Sequence, residues 1–215
     1  MKSDISNYRK SYSKGFLSKN EIFDNPLKLF NKWFDEISKN NLEIEINAMT
    51  LSTIDNDGFP RNRVVLLKYF SEDGFTFFTN YNSNKSKSIL NNNKVSISFF
   101  WEKMERQIII KGRAFKTTDY ISDKYFNSRP LDSKIGALVS SNQSSVISSR
   151  SFLEDEFKKI KKQFENINIS RPINWGGFIV KPIEYEFWQG RENRLHDRIR
   201  YNKKDNKWII ERLSP

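Results

Sequence analysis

Between residues 44 and 115 short apolar runs alternate with tight polar turns, and this spacing constrains the fold more than any other feature of the chain. Asn47 to Ile54 reads as a strand and Asp55-Asn56-Asp57-Gly58 as a turn. Arg63 to Phe70 reads as the next strand, Ser71-Glu72-Asp73-Gly74 as its turn, and Phe75 to Thr79 as a third strand. Val95, Ile97 and Phe99 alternate with Ser96 and Ser98, the period-two pattern of a strand with one buried face. Glu105 to Phe115 pairs with it across Trp101-Glu102-Lys103-Met104. Consecutive hairpins of this kind favour an antiparallel sheet closed into a barrel over a parallel α/β sheet.

Helices punctuate this sheet, giving an α+β chain that is mainly β. Asp24-Asn25-Pro26 supplies a cap and a first-turn proline, with Leu27, Phe30, Phe34 and Ile37 on one face of the helix that follows. Shorter helices are predicted over Lys85 to Asn92, Thr118 to Ser128 and Asp132 to Val139. Ser151-Phe152-Leu153-Glu154 has the form of a capping box opening another. Strands return at 175–187, 194–201 and 207–213. Residues 1–22 are polar and without period, and read as a mobile arm; residues 23–215 read as a single domain.

The chain has no cysteine, which excludes disulfides, thiolate metal sites and a cysteine nucleophile. It has one histidine, so a zinc site of the usual kind is not expected. No apolar stretch approaches a membrane span and the first residues lack a signal-peptide core, which points to a soluble cytoplasmic protein. The net charge of +11 is spread along the chain, and fits small anionic ligands better than nucleic acid.

The single histidine lies in Trp188-Gln189-Gly190-Arg191-Glu192-Asn193-Arg194-Leu195-His196-Asp197-Arg198. Arginine forks recognise phosphate and carboxylate, and histidine exchanges protons near neutral pH. If extended, the segment places Arg194, His196 and Arg198 on one face. It is then either an anion site with an ionisable group beside it or a basic edge strand with a solvated histidine.

Three other segments invite the same pair of readings. Arg63-Val64-Val65-Leu66-Leu67-Lys68 brackets apolar residues with two cations, which either snorkel to solvent or meet an anion at the barrel rim. Thr79-Asn80-Tyr81-Asn82-Ser83-Asn84-Lys85 runs from a strand end into a helix start, suited to a phosphate or simply to a capped helix. Tyr125, Arg129 and Ser133 gather at a helix end, either as a second anion pocket or as a favourable C-terminal cation. Gln107 and Gln143-Ser144 are neutral amides suited to a heterocycle or to neighbouring backbone.

No one of these motifs is decisive, but their order resembles the pyridoxamine/pyridoxine 5′-phosphate oxidase family from about Arg9 to Pro215. The resemblance is carried by Arg63 to Lys68, Phe78-Thr79-Asn80, Glu105-Arg106-Gln107, Tyr125-Phe126-Asn127-Ser128-Arg129-Pro130 and Gln143-Ser144-Ser145. Trp175-Gly176-Gly177, Glu186-Phe187-Trp188-Gln189-Gly190 and Arg194 to Arg198 complete it. It implies an antiparallel split β-barrel, FMN as cofactor, and a homodimer with two FMN sites at its interface.

By resemblance, FMN contacts fall on Arg63, Val64, Val65, Leu66, Leu67, Lys68, Phe78, Thr79, Asn84, Lys85, Gln107, Gln143, Ser144, Trp188 and Arg198. The substrate phosphate maps onto Lys68, Tyr125, Arg129 and Ser133, and the pyridine ring onto Arg194, Leu195 and His196. Arg9 and Tyr12 match a segment that covers the site. Asn84 departs from an arginine frequent in the family and Phe78 from a frequent tyrosine, and one extra residue falls near Ser140 to Asn142. The implied reaction oxidises pyridoxine or pyridoxamine 5′-phosphate to pyridoxal 5′-phosphate, with O2 as acceptor and H2O2 as product. Arg194 positions the substrate and His196 assists in binding or proton removal. The alternatives are a related split-barrel flavoprotein with another substrate, a non-catalytic pyridoxal 5′-phosphate carrier, and a basic nucleic-acid-binding barrel.

Overall fold

The first helix, α1 (Pro26–Lys39), begins where its cap predicts, with Asn25 accepting the Leu27 N–H at 2.8 Å. In the computed structural model the chain is described over residues 3–40, 44–164 and 167–215. The apolar face of α1 buries Leu27, Leu29, Phe30, Trp33 and Ile37, and Phe34 stacks half-buried on Phe30. Burial of each such large side chain contributes roughly 1.5–3 kcal/mol.

Among the described residues nine strands follow in one sheet: β1 (Ala48–Ile54), β2 (Pro60–Leu66), β3 (Tyr69–Ser71), β4 (Gly74–Asn80), β5 (Lys94–Trp101), β6 (Arg106–Lys116), β7 (Trp175–Gln189), β8 (Asp197–Lys204) and β9 (Lys207–Leu213). Their order is β2-β1-β5-β6-β7-β4-β3, with β8 pairing β7 and β9. The pairs β3–β4, β4–β7, β7–β8 and β8–β9 run antiparallel. Period-two burial is plain in β5, where Val95, Ile97, Phe99 and Trp101 are buried. Gly58, at φ 84°, closes the β1–β2 turn, and its N–H donates to the Asp55 carbonyl.

Between strands lie α2 (Asn84–Asn91), α3 (Asp119–Ser128), α4 (Leu131–Val139) and α5 (Arg150–Gln163). No helix among the described residues is long and apolar enough to cross a membrane. Contacts group the chain into two compact units. One comprises Met1–Thr50, Ser96–Lys111 and Pro182–Pro215; the other comprises Leu51–Val95 and Gly112–Lys181. Strands β1, β5, β6 and β7 each run from one unit into the other.

Four local expectations are revised. The strand expected over Arg63 to Phe70 ends at Leu66, and Tyr69 begins the separate short β3. Nor is β2 a core strand, because Val64 is 67% exposed. Helix α5 is capped by Ser149, whose side chain accepts the Phe152 N–H, so Ser151 lies inside the helix and no capping box forms. The strand expected over 194–201 starts only at Asp197: Asn193 and Arg194 have φ of 55° and 61°, which breaks the predicted alternation of Arg194, His196 and Arg198.

Of the expected arm, residues 1 and 2 lie outside the described residues. Within it, Ser13 and Lys14 are held by backbone hydrogen bonds to Glu105, Leu17 is buried, and Lys19–Glu21 forms a short 3-10 helix.

Candidate active site

Two cavities gather most of the residues singled out in the sequence, one in each unit. The larger occupies about 640 Å³ between the end of β2, the end of β4, α2, α3 and α4. Val64, Val65, Leu66, Lys68, Phe78, Thr79, Lys85, Tyr125, Arg129, Ser133 and Gln143 line it, with Asn80, Pro130, Gly136, Ala137, Ser140 and Trp175. Its charged lining residues, Lys68, Lys85 and Arg129, are all cations.

The backbone explains how these groups meet. Antiparallel register sets Phe78 opposite Gly177 and Asn80 opposite Trp175. Phe78 stacks on Tyr125 at 4.0 Å and on Trp175 at 5.6 Å, forming an aromatic wall. The Arg129 guanidinium lies 4.7 Å over the Trp175 ring. Among the described residues, Arg129 Nη1 is the buried side-chain nitrogen that finds no hydrogen-bond partner. Leaving such a donor unmet costs about 1–3 kcal/mol, so an acceptor is missing from this wall. Burial also pushes the Arg129 pKa down, with Tyr125 partly opposing the shift.

At the other end of the cavity Lys85 Nζ donates to Thr79 Oγ1 at 3.1 Å and to Gln143 Oε1 at 3.2 Å. Asn80 carries the loop with Gln143 into place, its Nδ2 donating to the carbonyls of Ser140 and Ser141. Burial, and then the nearby Arg63 charge, pull the Lys85 pKa down to about 8. A lysine held beside another cation in an acid-free cavity fits a phosphate ligand.

The second cavity, about 600 Å³, is lined by Tyr8, Arg9, Lys10, Ser11, Tyr12, Arg191, Asn193, Arg194 and His196. Trp188 backs it, its ring 4.7 Å from that of His196. The Arg191 N–H donates to His196 Nδ1 at 3.1 Å, so the neutral imidazole carries its proton on Nε2. Burial, and then the Arg194 charge, lower the His196 pKa below its ordinary 6.5. Asp197 organises the loop by accepting from Arg191, Arg212 and the Leu17 amide.

Other expected contacts are not brought into either cavity. Arg63 turns to the Leu51 carbonyl and Thr53 Oγ1. Leu67 is buried. Asn84 lines a small separate cavity with Asp55 and Asp57, and its N–H donates to Ser144 Oγ. Gln107 donates to Ser98 Oγ, and Arg198 is committed to Glu186 and the Ser214 carbonyl. Leu195 is 69% exposed. The sequence in turn gave no weight to Trp175 as the platform for Arg129, or to Tyr8, Lys10 and Arg191. Arg191 was visible only as one more cation in a basic cluster.

The chain has one histidine, so its ring protons titrate in isolation. The NMR midpoint of His196 is expected below 6.5, and Arg194→Ala should raise it by removing the repelling charge. An unmoved midpoint would place Arg194 away from the imidazole.

Known proteins place the chain in a family. Residues 37–164 match the family model described as pyridoxamine 5′-phosphate oxidase. Residues 175–215 match the pyridoxine 5′-phosphate oxidase C-terminal dimerisation region. A pyridoxine/pyridoxamine 5′-phosphate oxidase from Flavobacterium johnsoniae is 58% identical over 212 residues, covering 98% of this chain and 99% of that one. One from Flavobacterium psychrophilum is 54% identical, with 99% of both chains covered. Among solved structures, PhzG from Burkholderia lata 383, in complex with tetrahydrophenazine-1-carboxylic acid, superposes with a TM-score of 0.88 at 25% identity, covering 96% of this chain and all of that one. A pyridoxamine 5′-phosphate oxidase-related, FMN-binding protein from Nostoc punctiforme shares the fold, with a TM-score of 0.69 at 15% identity, covering 90% of this chain and 100% of that one. The fold is therefore the antiparallel split barrel, and the chain is an oxidoreductase belonging to the pyridoxine/pyridoxamine 5′-phosphate oxidase family.

Proposed function

We propose that the protein oxidises pyridoxine 5′-phosphate and pyridoxamine 5′-phosphate to pyridoxal 5′-phosphate, with FMN as cofactor and O2 as electron acceptor. The observation that carries this reading is the buried Arg129 Nη1, left without an acceptor in a cavity whose charged lining residues are all cations. FMN, when bound, supplies the two-electron acceptor for the substrate C4′–H, and O2 takes those electrons on to H2O2. The alcohol gives the aldehyde directly; the amine takes up water and releases ammonia.

In this reading the chain binds and orients. Lys85, Thr79 and Gln143 hold the cofactor phosphate, while Arg129, Lys68, Tyr125 and Ser133 hold that of the substrate. Two anchored phosphates fix the reacting atoms in near-attack geometry. By the family resemblance, Arg194 and His196 border the pyridine ring. With Nδ1 engaged by the Arg191 N–H, His196 presents Nε2–H, a hydrogen-bond donor. Its task in this reading is therefore binding rather than proton removal. The dimerisation region fits a homodimer.

PhzG was crystallised with tetrahydrophenazine-1-carboxylic acid, so a ring acid is the second candidate substrate class. Arg129 distinguishes the two through its demand for an anion on the substrate's phosphate arm: loss of activity on removing the pyridoxine phosphate ester favours the first reading.

The cofactor half is tested by pH. Burial, and then the Arg63 charge, bring the Lys85 pKa down to about 8 from its ordinary 10.5. Between these values the unfolded chain holds more protons than the folded one, so the Lys85 contribution to stability rises with pH across that window. A bound phosphate reverses the shift, so above pH 8 binding must take up a proton. FMN affinity, followed by fluorescence quenching, is expected to fall by up to about tenfold per pH unit from 8 towards 10. Lys85→Met should flatten that slope, and a steep slope surviving the substitution would remove Lys85 from the phosphate site.

A further inference from the structure

Glu105 is an odd residue for its position. Its backbone is left-handed, at φ 54° and ψ 41°, where glycine or asparagine sits at less cost. Its side chain is nonetheless a carboxylate in a residue only 1% exposed. A buried charge in a strained turn persists where its partners over-determine it.

Those partners lie far away in sequence. Glu105 Oε2 accepts the N–H groups of Ser13 at 2.8 Å and Lys14 at 2.9 Å. Its own carbonyl accepts from Gly190 N at 2.7 Å and Gln189 Nε2 at 3.2 Å. One residue thus ties the N-terminal segment to the start of the loop that carries Arg191, Arg194 and His196. Gly190 completes the seat, since a Cβ there would stand 2.8 Å from Tyr12 Cγ and 3.1 Å from Glu105 Cβ. The Tyr12 ring meets Trp188 edge-on at 5.7 Å and lies 5.9 Å from His196.

Anchorage of the segment changes character at Ser13. Upstream, Ser6 N bonds Asp4, Tyr8 N bonds the Ile5 carbonyl, Arg9 Nε bonds the Ser6 carbonyl, and Tyr8 is 86% exposed. Downstream, Leu17 is buried and its N–H donates to Asp197. We propose that Glu105 is a positioning residue for substrate binding: its carboxylate pins Ser13 and Lys14 so that Arg9 and Tyr12 seat against the substrate at Arg194 and His196. The proposal rests on the reading of the second cavity as the substrate side.

The test uses the full chain with FMN bound and compares Glu105→Ala, Glu105→Gln and Ser13→Pro. The readouts are KM and kcat for pyridoxine 5′-phosphate, bound flavin, and the rate of tryptic cleavage at Lys10 and Lys14. Losing two amide bonds to a carboxylate should raise KM and the cleavage rate by about tenfold in Glu105→Ala, with kcat and flavin content little changed. Glu105→Gln keeps an acceptor oxygen without the charge and should fall between. Ser13→Pro removes one amide donor while Glu105 stays in place, and should move both readouts in the same direction even if the alanine variant folds poorly. In a background lacking both contacts, Arg9→Ala with Tyr12→Ala, Glu105→Ala should add nothing to KM.

Unchanged cleavage in Glu105→Gln and Ser13→Pro would overturn the anchor. Faster cleavage with unchanged KM, while Tyr12→Ala does raise KM, would overturn the positioning role alone. Unchanged KM in all of these variants, Tyr12→Ala included, together with unchanged kcat in Arg194→Ala, would overturn the substrate reading of the cavity and the positioning role together.

Discussion

Replacing Arg129 by methionine is expected to cripple the enzyme and stabilise the empty protein. The guanidinium is half-buried over Trp175, with Nη1 lacking an acceptor. A phosphate would supply charge-assisted, bidentate bonds there, and removing the fork forfeits about 3 kcal/mol of binding. That corresponds to a loss on the order of a hundredfold in kcat/KM, carried chiefly by KM. Methionine keeps the packing on Trp175 and removes an unsatisfied buried donor, so the ligand-free protein should gain about 1 kcal/mol, or a few degrees in Tm. Steady-state kinetics and thermal melts of the apoprotein check the two halves separately. A variant that kept its KM for the phosphate ester would remove Arg129 from the substrate site. A destabilised apoprotein would mean that the cation is already satisfied.

Arg194→Ala is expected to act on turnover instead. Arg194 is exposed, lines the second cavity and sits at φ 61°. If its fork orients the pyridine ring, losing it should lower kcat on the order of a hundredfold, with flavin content unchanged, because the proposed phosphate anchors lie in the other cavity. Arg194→Lys keeps charge without the fork and should recover only part of the loss. Arg194→Gly is the necessary control, since glycine relieves the left-handed backbone that alanine leaves strained. Equal loss in the glycine and alanine variants assigns the effect to the guanidinium. Full activity in glycine alone would assign it to the backbone. Anaerobic stopped-flow measurement of flavin bleaching reads the reductive step directly.

Much of the fold was legible because strands with one buried face write their period into the sequence. Val95, Ile97 and Phe99 alternate with serines, and the structure buries the apolar set. The errors fell where apolar character and burial part company. Val64 lies in an apolar run yet is 67% exposed, because its strand lines an open cavity instead of the core. Three serines in four residues, Ser148, Ser149 and Ser151, left the start of α5 ambiguous, and only the structure shows that Ser149 caps it.

For the site, the cation positions were legible as anion-binding chemistry, but their grouping was not. Nothing in Asn193-Arg194 announces two consecutive left-handed residues, since neither is glycine. Glu105 was invisible as an anchor because its partners are main-chain amides 92 and 91 residues earlier, which have no signature in side-chain chemistry. Asn84 stood out as a missing phosphate contact. In the structure it lines a small cavity with Asp55, Asp57 and Lys87, a grouping that the family pattern alone did not reveal.

The central claim, an FMN oxidase that recognises its B6 substrate by the phosphate ester, is tested most directly by anaerobic titration of the purified, flavin-loaded protein. Adding pyridoxine 5′-phosphate should bleach the flavin absorbance and yield one pyridoxal 5′-phosphate per flavin. Readmitted O2 should restore the colour with an equal amount of H2O2, and unphosphorylated pyridoxine at the same concentration should do neither. Persistent colour with the phosphate ester, or equal bleaching by pyridoxine, would contradict it.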